Sequence, residues 1–176
     1  TRDGLRQCIR ATERILNDTG EIEKVSDWFA KAENAFYLGR YVNFPSALEG
    51  SLKMKEISYI HCEGYPAGEL KHGPLALLKD STPIVALVAR DHTYDKMLGN
   101  IGECSARGSP VLALIPEGDS EVVKYTDRVL HYPDIDPFFS PVAISVILQL
   151  LAYHTAKRKG CSIDKPRNLA KSVTVE

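Results

Sequence analysis

The chain has 176 residues, 44% hydrophobic and 26% charged, with 22 Lys and Arg set against 23 Asp and Glu. That length suits one domain with a core of its own, and a formal charge of −1 supplies no global field, which argues against nucleic acid or an acidic membrane as the main partner. The apolar content rules out disorder, and the modest 12 Gly and 10 Pro rule out collagen-like and low-complexity classes.

Taken in chain order, residues 2–33 are amphipathic and mostly helical, with a break expected at Thr19-Gly20. AFYLG (35–39) is a short apolar run ending in glycine and reads as a first central strand. Pro45 then sits where a first helical turn tolerates it, and SALEGSLKMKEISY (46–59) follows as a helix. A short strand over 60–64 leads into a second helix over 66–78. TPIVALVA (82–89) and PVLALIP (110–116) are continuous apolar runs, as expected of strands covered on both faces. A helix over 94–108 separates them, DRVLHYP (127–133) makes a final strand, and residues 137–159 form the last helix. Alternating strands and helices predict an α/β three-layer sandwich, a roughly five-stranded parallel sheet flanked by helices. After Gly160 the helical period ends and Pro166 appears; Leu169, Val173 and Val175 alternate with polar residues, which favours an extended tail docked on the domain.

The four cysteines form no C-x-x-C pair and no ligand-like spacing with the five histidines, so they read as reduced thiols in a reducing compartment, with neither disulfide nor zinc. PFFSPVAISVILQLLAY (137–153) falls short of 18 uninterrupted apolar residues and reads as a core helix rather than a membrane span.

Three places could carry chemistry. On the 46–59 helix, Ala47, Gly50, Met54 and Ile57 share the face expected to meet the core, while Glu49, Lys53 and Glu56 share another. The plain account of that second face is a solvated stripe, its Glu49–Lys53 pair contributing about 0.2–0.5 kcal/mol. The functional account places the helix after a strand end, where open α/β sheets bind ligands, with Glu56 beside a lysine as a carbon-acid base. In EGYPAGELKHGPLAL (63–77), glycines and prolines surround His72, a side chain suited to moving protons near neutral pH. In the tail, Lys171 would become a usable amine nucleophile if the tail folded over a pocket and desolvated it. No string in the chain forms a phosphate cradle.

ALEGSLKMKEISYIHCEGYPAGELKHGPLAL (47–77) and PRNLAKSVTVE (166–176) resemble the C-terminal portion of the glucosamine-6-phosphate synthase family, and intervening stretches such as LQLLAYHTAKRKG fit as well. The resemblance implies the second of two sugar isomerase (SIS) domains over 1–160, with an active-site tail over 161–176. Its family converts fructose 6-phosphate and glutamine to glucosamine 6-phosphate and glutamate. By that likeness Glu56 is the base that moves a proton from carbon-1 to carbon-2 of a fructosimine, and Lys53 assists at the carbon-1 hydroxyl. His72 opens the sugar ring from a neighbouring subunit, Lys171 forms the Schiff base with the open-chain ketose, and Ala170 and Glu49 contact the sugar. The likeness implies a cytoplasmic homodimer needing neither cofactor nor metal. It also implies a fragment inactive alone, because the serine-rich loops of the first SIS domain and the ammonia-producing glutaminase domain are not in this sequence. The alternative is a regulatory SIS module that binds sugar phosphates reversibly.

Overall fold

A computed structural model of the chain describes residues 2–168. Five helices, α1 (Arg2–Asn17), α2 (Gly20–Phe29), α3 (Phe44–Ser58), α4 (Tyr94–Ser105) and α5 (Ser140–Arg158), are interspersed with five strands. The strands are β1 (Asn34–Gly39), β2 (His61–Pro66), β3 (Ile84–Leu87), β4 (Val111–Pro116) and β5 (Arg128–Tyr132). They form one parallel sheet in the order β2-β1-β3-β4-β5.

The apolar runs of β3 and β4 are wholly buried because both faces of the sheet are covered. Successive side chains point to opposite faces. Val85, Leu87, Leu112 and Leu114 enter a core shared with α1, α2, α3 and α5, whereas Ile84, Ala86, Ala113 and Ile115 enter one shared with α4 and Leu70. The helix α5, with the 3₁₀ turn before it, is long and apolar enough to cross a membrane. In this fold it is the middle of the first helical layer, burying Ile144, Ile147, Leu148 and Leu151 against its neighbours.

One predicted element differs. The helix expected over 66–78 is two 3₁₀ turns, Ala67–His72 and Pro74–Leu77. Gly73 between them has φ 151°, a region L-residues rarely enter, and Pro74 supplies no N–H, so the α-helical ladder cannot pass.

Candidate functional site

The helix α3 starts with Pro45 in its first turn and stops at Tyr59, whose left-handed φ of 62° lets its N–H reach the Lys55 carbonyl. Two glycines let the elements around it approach closely. A Cβ on Gly50 would lie 2.7 Å from a Leu148 methyl of α5, and one on Gly64 of β2 would lie 2.7 Å from Leu48 Cα. Ala47, Gly50 and Met54 are buried as the helical period requires, and Ile57 is half-buried.

On the other face, Lys53 Nζ donates to Glu56 Oε2 at 2.7 Å and lies 3.7 Å from Glu49 Oε1. The hydrogen bond to Glu56 is the main reason the Lys53 ammonium is held above the usual lysine range, with the two carboxylate charges adding to it against partial burial. Lys53 is therefore a cation. It can donate to or stabilise a developing negative charge, but it is a poor nucleophile.

The helix α3 follows the end of β1, as expected, and its length carries Glu56 away from that end. Glu56 is twelve residues beyond Phe44, about 18 Å along the axis, in the last helical turn and beside the start of β2. At the carboxyl ends of β1 and β3, where the strand order reverses and ligands usually bind, the chain makes several contacts with itself. Arg40 Nε donates to Asn100 Oδ1 at 2.9 Å, and the Tyr41 ring meets His92 edge-on at 4.7 Å. The Asn43 side chain is buried against Ser140.

His72 ends its 3₁₀ turn largely exposed, 3.8 Å from Glu69. Its segment buries Ala67 and Leu70 in the core on the far side of the sheet from α3. One chain therefore does not bring His72 to Glu56. Ala170 and Lys171 lie outside the described residues, as do Leu169, Val173 and Val175, on which the docked tail was argued. The described part of the tail returns to the end of α3: the Arg167 N–H donates to the Tyr59 hydroxyl at 2.9 Å, and its guanidinium lies 4.1 Å from the Tyr59 ring centre. Sequence reasoning missed Tyr59 and Arg40, since each finds its partner at least sixty residues away.

Cavities of about 430, 420 and 460 Å³ open beside β5, at the carboxyl ends of β3 and β4, and at the start of β1 and β2. None of these three is lined by Glu49, which is exposed on its face of α3, or by Lys53 or Glu56, which are half-buried there. Among the described residues, no three His, Cys, Asp or Glu side chains gather as metal ligands. The four thiols are free, and burial pushes those of Cys62 and Cys104 up to about 12.

Comparison with known proteins gives this arrangement a lineage. The chain is 53% identical over 98% of its length to a glutamine–fructose-6-phosphate aminotransferase [isomerizing] of Methanosarcina acetivorans, and 48% identical over 98% to that of Synechocystis. It spans only 28% of each of those relatives. Among solved structures, the C-terminal domain of glucosamine-fructose-6-phosphate aminotransferase from Francisella tularensis matches with TM-score 0.85 and 40% identity, over 93% of this chain and 46% of that one. A tagatose-6-phosphate ketose/aldose isomerase from Escherichia coli shares the fold alone, at TM-score 0.80 and 20% identity, over 97% of this chain and 48% of that one. The family profile described as SIS domain matches residues 28–157, from the last turn of α2 to the last turn of α5, and the chain belongs to that family.

Proposed function

We propose that this chain is the second SIS domain, with the active-site tail over 161–176, of a glutamine–fructose-6-phosphate aminotransferase that forms glucosamine 6-phosphate. The observation that carries the reading is the Glu49–Lys53–Glu56 row, with a cationic Lys53 bonded to Glu56, at the helix end to which the tail returns. Lys171 is four positions beyond Arg167, so its Cα is within about 14 Å of that of Arg167 along even a fully extended chain. Because Lys53 is held protonated, Lys171 is the better amine for attack on a carbonyl.

The chemistry follows from those assignments. His72, presented by a neighbouring subunit, assists opening of the sugar ring. The Lys171 amine adds to carbon-2 of the open-chain ketose and water leaves, forming an imine; ammonia then displaces the lysine. The Glu56 carboxylate removes the proton made acidic at carbon-1 by the adjacent imine and returns it to carbon-2, while the carbon-1 hydroxyl proton passes through solvent to the imine nitrogen, so that carbon-1 becomes the aldehyde and the imine becomes the amine. Lys53 donates to the carbon-1 oxygen while charge develops there. Glu49 and Ala170 contact the sugar. The phosphate is held by a first SIS domain, and ammonia comes from a glutaminase domain, both outside this sequence. The whole is a cytoplasmic homodimer that uses no metal or cofactor, and the chain alone has negligible synthase activity.

The test is Glu56→Gln in the intact polypeptide. Formation of glucosamine 6-phosphate falls about 10²–10⁴-fold while fructose 6-phosphate still binds. An unchanged rate overturns the assignment. If the chain were a regulatory SIS module, reversible sugar-phosphate binding would be seen with no turnover to amino sugar by the unaltered polypeptide.

A further inference from the structure

A run of polar contacts crosses the carboxyl end of β1 and ends next to His72. Arg40, from the loop after β1, donates to Asn100 Oδ1 on α4 at 2.9 Å. Asn100 is buried, and its Nδ2 donates to Glu103 Oε2 one turn further along α4 at 3.3 Å. The other Glu103 oxygen takes Lys71 Nζ at 2.7 Å, and Lys71 directly precedes His72. A second contact holds the start of the same turn: a Cβ on Gly68 would lie 3.3 Å from the Arg40 guanidinium, so the backbone at Gly68 rests on that group. The 3₁₀ turn Ala67–His72 is thus gripped at both ends, beneath Gly68 and through Lys71, by one connected set of side chains. A turn of this kind has poor hydrogen bonds of its own and takes its shape from what it packs on.

We propose that Glu103, bridged to Arg40 by Asn100, is a positioning residue that fixes the His72-bearing turn through Lys71. The carboxyl end of β1 serves here as an internal seat for that turn. The inference rests on the reading of His72 as a participant in the reaction. Glu103 suits the task because the Lys71 hydrogen bond keeps its carboxyl below the usual carboxylate range, so it stays ionised wherever the enzyme works. Lys71 is largely exposed, so its substitution tests the grip without disturbing the core.

The experiment uses the intact polypeptide and the rate of glucosamine 6-phosphate formation from fructose 6-phosphate and glutamine. Glu103→Gln and Lys71→Met each lower kcat about tenfold, the scale expected when a reacting group is displaced by a fraction of an ångström, with KM within about twofold, and Lys71→Arg restores most of the loss. In a His72→Asn background the same two substitutions cost less than about twofold, because their effect passes through the imidazole. The inference is overturned if both substitutions leave kcat unchanged, or if they cost as much with His72 absent as with it present. Should His72→Asn alone leave kcat intact, the reading of His72 fails and this inference falls with it, an outcome distinct from equal losses in the two backgrounds.

Discussion

In the proposed reading Lys53 and Lys171 are both amines offered to one sugar, and the surroundings of Lys53 leave it the proton donor. Lys53 is tied to Glu56 at 2.7 Å with Glu49 behind it, which keeps the proton on nitrogen. The consequence for stability has a definite sign: a lysine raised in the folded state contributes below its unfolded pKa, and that contribution is lost as pH rises through the folded value. The cysteines act in the same direction. Burial lifts Cys62 and Cys104 from about 9 to about 12, so an unfolded chain ionises first and stability declines as pH rises over that window. Urea titrations at pH 8 and 10.5 will show this decline, and Cys62→Ala will reduce it; an equal decline in the variant would contradict the burial argument. The same burial makes those thiols inert. With a thiol-specific reagent at pH 8, the partly exposed Cys161 is modified first, and Cys161→Ser removes the fast phase.

At the scale of elements, the position of α3 depends on two glycines that a side chain would displace. Gly64→Ala puts a Cβ against the Leu48 backbone, which cannot rotate away, and costs about 1–3 kcal/mol. Gly99, on the outer face of α4, has nothing within 4 Å of its Cβ position, so Gly99→Ala stabilises by about 0.4–1 kcal/mol. Urea midpoints of the two variants moving in opposite directions check the pair. The elements themselves were largely legible. Continuous apolar runs announced β3 and β4, and the 3.6-residue period put Ala47, Gly50 and Met54 inward and the Glu49–Lys53–Glu56 row outward. The turn carrying His72 was misjudged because apolar spacing over 66–78 suits a helix, whereas the unusual φ at Gly73 and the missing N–H of Pro74 decide otherwise. Nor could sequence spacing place Arg40 on Asn100 or Arg167 on Tyr59, because such contacts arise only once the sheet order is fixed.

For the whole molecule, the sheet itself separates the proposed parts. Glu56 rides on the layer of α1, α2, α3 and α5, and His72 on a turn of the opposite layer, which supports the proposal that His72 comes from a second subunit. Intact polypeptides carrying Glu56→Gln and His72→Asn, each nearly inactive alone, should complement when reassembled together. Half the dimers in an equal mixture are hybrids, each with one unaltered site of two, so about a quarter of the original rate returns. No recovery would place both residues in the same subunit's site or leave one of them out of it.

The division between the two lysines is the point on which the account turns, and chemical trapping reads it directly. The intact polypeptide is incubated with fructose 6-phosphate, reduced with borohydride, and digested for mass mapping. The sugar adduct is predicted on Lys171, to survive Glu56→Gln and to vanish in Lys171→Arg. An adduct on Lys53, or undiminished trapping in Lys171→Arg, would contradict it.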